Sequence, residues 1–146
     1  MIYLPERVVC NDGNATLANH TYWTANDATN QRTVRITEMG PGTPFTFDNV
    51  GYKMDVINQT VALNSVERWT ITNGRVFGHS FHIHDVQLKI VSRSTGPVPA
   101  TEQGWKDTFF IRTNETVNFV AKFDDFASSK DPFMYHCHMS NHEDEG

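Results

Sequence analysis

The chain has 146 residues, of which 38% are hydrophobic and 20% charged, a balance typical of one soluble globular domain. A net charge of −5 and a predicted pI of about 5.7 argue against a nucleic-acid partner, which requires a basic face. No apolar run approaches the roughly 18 residues that a membrane span needs, and the opening residues lack the basic and apolar regions of a signal peptide.

Residues 1–30 differ in composition from the rest of the chain. They are rich in Asn, Thr, Ala and Asp and show no hydrophobic period, so we interpret them as a linker or an extended segment. One domain is predicted over residues 31–146. Nothing beside Cys10 would activate its thiol, and His20 is interpreted as an exposed bystander.

Short β-strands separated by turn residues are predicted from residue 33 onward. Asn73-Gly74 is a strong turn dipeptide, and the strict alternation in 116–123 places apolar residues on one face of a strand. The predicted strands cover residues 33–38, 45–48, 66–72, 80–91, 108–112, 116–123 and 132–138. This spacing, without a sustained helical stripe, predicts an all-β fold, a β-sandwich with Greek-key connections.

Six of the seven histidines fall in two short segments, HSFHIH and HCHMSNH, which both lie on predicted strands. The second segment also contains a cysteine. Imidazole and thiolate are ligands for borderline and soft metals, so two such clusters predict metal binding. The seven side chains are His79, His82, His84, His136, Cys137, His138 and His142.

Strand geometry divides these ligands between two sites. Successive side chains point to opposite faces, so the two histidines of HIH project together. By the same rule the two histidines of HCH point one way and Cys137 the other. His79 and His142 lie near turns from which each can lean towards Cys137. Four imidazoles are therefore expected at one site, and a thiolate with two imidazoles at a second.

The set of two histidines and Cys137 has the composition of a blue-copper centre, which is completed by a weak axial ligand such as Met. The four-histidine set suits copper or zinc. A structural zinc site is the competing interpretation, but zinc takes one closed set of four ligands, whereas here seven are split over two faces. From strand dimensions the two metals would lie on the order of 10 Å apart.

The segments HSFHIH and HCHMSNHEDEG resemble the C-terminal copper motifs of the multicopper oxidases, the family of laccases, bilirubin oxidases and bacterial cuprous oxidases. GWKDTFF at 104–110 resembles a further segment of the bacterial and bilirubin-oxidase branch. The resemblance implies that 31–146 form the last, cupredoxin (plastocyanin-like) domain of such an enzyme. It further implies that a type 1 copper takes single electrons from a reductant. The His-Cys-His strand passes them to a trinuclear copper cluster that reduces dioxygen to water.

The same resemblance implies a role for each ligand. The type 1 ligands would be His79, Cys137 and His142, the type 2 ligand His82, and the type 3 ligands His84, His136 and His138. Glu143 matches an acidic position proposed to relay protons to the cluster, with a solvated carboxylate as the alternative. Asp107 is interpreted as a structural residue at a turn or strand entry.

The sequence departs from the family pattern beside these ligands. Ser80 and Asp85 stand where the family often has Pro and Gly. The stretch GRVFG before His79 lacks the acidic and Met residues with which cuprous oxidases hold a substrate copper ion. An organic reductant, phenol-like or tetrapyrrole, is therefore favoured over Cu(I).

The resemblance also implies partners. Half of the cluster's histidines would come from another cupredoxin domain of the same protein or of an oligomer. The axial type 1 ligand and the family's last strand would follow Gly146, so we expect a truncated domain that has little activity alone. The complete enzyme would use up to four copper ions, a small reducing substrate and O2, in the periplasm or outside the cell. The alternative is a blue-copper electron-transfer or copper-binding module without oxidase activity.

Overall fold

A computed structural model describes residues 23–38, 45–140 and 142, and within them the chain forms eight β-strands. The strands are β1 (Asn30–Glu38), β2 (Phe45–Phe47), β3 (Ser65–Asn73), β4 (His79–Ile83), β5 (Leu88–Arg93), β6 (Thr108–Ile111), β7 (Thr116–Phe123) and β8 (Tyr135–Cys137). Cys10, His20 and Glu143 lie outside the described residues. In the part that the structure describes, no helix has the length and apolar character to cross a membrane.

The strands form two sheets, which confirms the predicted all-β sandwich. A five-stranded sheet has the order β2-β1-β3-β7-β5, and a three-stranded sheet has the order β6-β4-β8. From β3 onward, successive strands alternate between the two sheets. This alternation makes β4 and β8, which are far apart in sequence, direct antiparallel neighbours.

Aromatic side chains from both sheets fill the core between them. Trp69 and Phe119 come from the five-stranded sheet, while Phe81 and Phe109 come from the three-stranded sheet. The ring of Phe119 lies 5.8 Å from that of Phe81 and 5.7 Å from that of Phe109. Burying a large apolar side chain contributes about 1.5–3 kcal/mol, so these contacts hold the two sheets together.

The prediction of one strand over 80–91 is wrong. The chain turns after β4, Asp85 adopts a left-handed conformation with φ 63°, and β5 joins the other sheet. Before this turn the core-facing residues have odd numbers, as Phe81 and Ile83 do. After it they have even numbers, as Val86 and Leu88 do, so the alternation is interrupted at the turn. A left-handed residue here also explains why Asp85 stands where the family often has Gly, because Asp tolerates this conformation better than most residues.

A buried ion pair fixes β6, the strand that flanks β4. Arg93 Nη1 lies 3.0 Å from the Glu115 carboxylate, and Arg93 Nη2 donates to the Phe110 carbonyl at 3.0 Å. Burial by itself would raise the pKa of Glu115, but hydrogen bonds from Thr95, the Arg112 backbone and Arg93 outweigh it and lower that pKa. The carboxylate is therefore held ionised inside the fold.

Glu115→Gln is expected to lower the free energy of unfolding by about 3–5 kcal/mol, because it removes the fully buried carboxylate from the buried Arg93 charge and leaves it a partly exposed one, Glu102. Glu102→Gln is the matched control, since Glu102 also binds Arg93, at 2.7 Å, but at the partly exposed edge of the network. It should cost at most about 1 kcal/mol. Urea unfolding followed by circular dichroism measures the free energy of unfolding of both variants. Equal losses would contradict the larger contribution expected of the buried carboxylate.

Candidate metal centre

The register between β4 and β8 decides which way each metal-binding side chain points. Phe81 lies opposite Cys137, and His82 lies opposite His136. Residues opposite each other in a sheet share a face. Phe81 and Cys137 point into the core, where they are 0% and 9% exposed, and the two histidines point the other way. The structure thus places the sulfur and its flanking imidazoles on opposite faces, as the alternation predicts.

On the core side, two imidazoles converge on the sulfur in what we call the thiolate site, formed by His79, Cys137 and His142. The Cys137 Sγ atom lies 3.5 Å from His79 Nδ1 and 3.4 Å from His142 Nδ1. His79 is the first residue of β4. His142 returns to the site through a turn in which its N–H donates to the Met139 carbonyl at 2.8 Å.

The spacing of these donors fits a single metal ion. Three ligands at about 2.0–2.3 Å from one first-row metal in a trigonal plane lie roughly 3.5–3.8 Å apart, close to the separations in the thiolate site. One sulfur and two imidazole nitrogens are the donors of a blue-copper centre. The His79 side chain is fully buried, whereas that of His142 is partly exposed.

The environment keeps His79 in the form that a metal requires. Burial lowers the pKa of its imidazole to about 4, and the nearby His142 and Arg75 act in the same direction. Metal ligation needs the neutral imidazole. At neutral pH His79 therefore presents a lone pair to the thiolate site without having to lose a proton.

On the other face, four imidazoles gather in what we call the four-histidine site, and their ring centroids lie 4.9–5.4 Å apart across five of the pairs. Ring nitrogens of three of them all lie within 4.8 Å of one another. Two of these, His84 Nε2 and His136 Nε2, are 3.1 Å apart. The fourth, His138, is exposed. The members of the site are His82, His84, His136 and His138.

Backbone carbonyls orient two of these rings. His82 Nδ1 lies 3.1 Å from the Asp107 carbonyl oxygen and 2.8 Å from the Thr108 hydroxyl, and His136 Nδ1 lies 3.2 Å from the Cys137 carbonyl oxygen. A carbonyl can only accept, so a proton on Nδ1 satisfies each contact and leaves the Nε2 lone pair available to a metal.

Sequence analysis missed the part that Asp107 and Thr108 play. Asp107 was interpreted as structural, and its backbone carbonyl does pair with the N–H of Ile83, but the same oxygen also faces the His82 ring. The contact arises because Thr108 of β6 lies opposite His82 of β4. No sequence spacing signals a partner that depends on pairing between distant strands.

Residues 14–146 match the multicopper oxidase family. The chain belongs to this family. A laccase from Bacillus stratosphericus is 29% identical over 137 residues, covering 80% of this chain and 26% of that protein. A bilirubin oxidase from Albifimbria verrucaria is 35% identical over 111 residues, covering 70% of this chain and 19% of that protein. The structure of a laccase from Pediococcus acidilactici superposes with a TM-score of 0.79 at 28% identity, covering 91% of this chain and 28% of that one.

These similarities confirm the predicted family, the cupredoxin-like sandwich and copper as the metal. The chain is a multicopper oxidase cupredoxin domain, and its thiolate site fits a type 1 copper centre. Relatives named laccase and bilirubin oxidase are oxidoreductases that use O2. The chain spans only about a fifth to a quarter of the length of these two relatives.

The metal-free chain is expected to lose stability as the pH falls from about 6.5 towards 4. In that window an unfolded chain protonates His79, whereas the fold keeps it neutral, so the unfolded state binds more protons. His79→Gln should flatten this part of the curve of unfolding free energy against pH. His138→Gln, which changes an exposed histidine, is the control and should not. Equal slopes for wild type and His79→Gln would show that burial does not suppress protonation of this residue.

Proposed function

We propose that this chain is the type 1 copper-bearing, C-terminal domain of a multicopper oxidase, spanning 31–146 after a linker or extended segment at 1–30. The complete protein would oxidise a small reductant one electron at a time and reduce O2 to water. One observation carries the proposal: a single short strand contributes a sulfur to the thiolate site and, through adjacent peptide units, two imidazoles to the four-histidine site.

Each ligand receives a role in this proposal. When bound at the two sites, copper would supply one-electron redox chemistry. His79, Cys137 and His142 would hold type 1 copper, His82 type 2 copper, and His84, His136 and His138 type 3 copper. The remaining cluster ligands would come from another cupredoxin domain of the same protein or of an oligomer. Glu143, next to His142 in sequence, is assigned to proton delivery.

The protein connects the two sites by short, rigid routes. Cys137 shares peptide bonds with His136 and His138, so each route from the sulfur to an imidazole crosses one peptide bond. The His138 N–H donates to the Ser80 carbonyl at 2.7 Å, just beyond the paired part of β8. Strand pairing of this kind holds the ligands in place and limits the reorganisation that accompanies a change of charge.

The surface beside His79 favours an organic reductant. Val76 and Phe77, which precede His79, are 74% and 64% exposed, and Phe110 of β6 is 50% exposed. The one cation in the stretch GRVFG, Arg75, is paired with Glu38. An apolar surface whose nearby carboxylate, Glu38, is already paired with Arg75 suits a phenol-like or tetrapyrrole ring better than a copper ion. Export to the periplasm or beyond the cell would fit such a substrate.

A blue-copper electron carrier or copper-binding module is the second candidate. It would need the thiolate site alone, and it would have no use for four imidazoles converging on the opposite face. The 3.1 Å approach of His84 Nε2 and His136 Nε2, with carbonyl partners behind two of the rings, favours the oxidase.

Two variants of the full-length protein separate these functions. Cys137→Ser should abolish the intense visible thiolate-to-copper absorption, because no sulfur remains to donate charge. A double variant, His82→Ala with His84→Ala, should retain that absorption and lose oxygen consumption. Visible spectroscopy and an oxygen electrode measure the two outcomes. If the double variant still consumed oxygen at the wild-type rate, the role proposed for the four-histidine site would fail. If the wild type showed the absorption but consumed no oxygen, the carrier would be favoured.

A further inference from the structure

One aromatic side chain touches both imidazoles of the thiolate site. The ring of Phe45 lies 4.5 Å from that of His79 in an edge-on arrangement and 4.4 Å from that of His142. The two imidazole centroids are themselves 5.0 Å apart. The three rings therefore form one contiguous cluster beside the sulfur. Phe45 reaches it from β2, an edge strand of the five-stranded sheet, whereas the ligands belong to the three-stranded sheet and the turn after it.

Among the described residues, His79 has no polar partner of the kind that usually orients a metal-binding histidine. Such a histidine nearly always donates its second ring N–H to a carboxylate, a carbonyl or water. His79 Nδ1 faces the sulfur, but its Nε2 is buried and finds no hydrogen-bond partner among the described residues. His82, by contrast, is oriented by the Asp107 carbonyl. Within the described part of the chain, packing contacts such as those of Phe45 are what can orient the His79 ring.

We propose that Phe45 is a positioning residue of the thiolate site, which fixes the His79 and His142 rings towards Cys137 and keeps water away from the sulfur. A flat ring held edge-on against His79 restricts rotation of that imidazole about its bond to Cβ, the freedom that a hydrogen bond at Nε2 would otherwise remove. The apolar shell around a metal site controls solvent access and the redox potential of the metal. The inference rests on the proposed type 1 site for the metal-bound state, whereas the metal-free thiol tests the packing by itself.

Phe47 provides a matched comparison on the same strand. It lies two residues after Phe45, so both side chains point to the same side of β2, and both are partly buried against the core. The Phe47 ring contacts Phe81 at 6.1 Å and Tyr135 at 5.2 Å, which are core aromatics. Truncating either phenylalanine removes a similar apolar area from the core. The ring contacts to His79 and His142 are made by Phe45, so Phe45→Leu is the variant that removes them.

The test compares Phe45→Leu with Phe47→Leu in this chain carrying Cys10→Ser, so that Cys137 is the one thiol. The first measurement is the rate at which dithionitrobenzoate reacts with Cys137 in the metal-free protein. The second is a Cu(II) titration followed by the thiolate-to-copper absorption and by electron paramagnetic resonance. Urea unfolding checks that the two variants lose similar stability. Phe45→Met, whose unbranched and flexible side chain adapts more easily to the space left by the ring, replaces Phe45→Leu if that variant does not fold.

Phe45→Leu is expected to speed the thiol reaction several-fold and to weaken copper binding about 10–100-fold, the usual cost of losing an orienting partner. It should also change the copper hyperfine splitting, which loss of stability alone does not move. Phe47→Leu should leave the thiol reaction rate, the copper affinity and the hyperfine splitting at wild-type values. Equal effects of the two variants, or no effect of Phe45→Leu, would overturn the inference. If no protein showed the absorption, the full-length protein included, the type 1 proposal would fail, and a thiol rate raised by Phe45→Leu but not by Phe47→Leu would still support the packing role.

Discussion

The rest of this site depends on the antiparallel register in which Phe81 of β4 faces Cys137 of β8. Side chains alternate along a strand with a period of two, so a slip of one residue would exchange the faces of every ligand on β8. The sulfur would then join the four-histidine site, and two imidazoles would enter the core. Burial of Phe81 and Cys137 stabilises the observed register, because a slip would expose the apolar set and bury imidazoles in its place.

This division gives the two sites different environments. The thiolate site lies on the core side, where burial lowers the pKa of His79 to about 4 and where aromatic packing surrounds the imidazoles. The four-histidine site lies on the outer face of the same sheet, where backbone carbonyls contact His82 and His136. Aromatic packing thus contacts the rings of the thiolate site, whereas backbone carbonyls contact two rings of the four-histidine site. In each site, ring nitrogens lie together at the place where a metal would bind.

The fold supports both the thiolate site and the four-histidine site because β4 is the central strand of the three-stranded sheet. β8 lies on one side of it and contributes Cys137 and His136, while β6 lies on the other and contributes the Asp107–Thr108 contact to His82. The Arg93–Glu115 pair in turn holds β6 through the Phe110 carbonyl. A buried charge pair therefore supports a ligand strand that it does not touch. The five-stranded sheet adds Phe45 from its far edge, so both layers contribute to the thiolate site.

Much of this protein follows from sequence alone, because the signals involved are local. A period of two in HIH and HCH is enough to separate sulfur from imidazole, and the run of short alternating segments is enough to give an all-β sandwich. Resemblance in the same two motifs gave the family. The turn at Asp85 was missed because a continuous apolar pattern hides a change of phase, although the even-numbered Val86 and Leu88 carried that signal.

Tertiary structure determines the contacts between segments that are far apart in the chain. Phe45, the Asp107 carbonyl and the Thr108 hydroxyl have no periodic signature, since what places them is the pairing of β2 with β1 and of β6 with β4. The same holds for the depressed pKa of His79, which arises from burial that the sequence does not display. Short sequence motifs thus identify the ligands, whereas the pairing of strands from distant parts of the chain determines how the ligands are oriented.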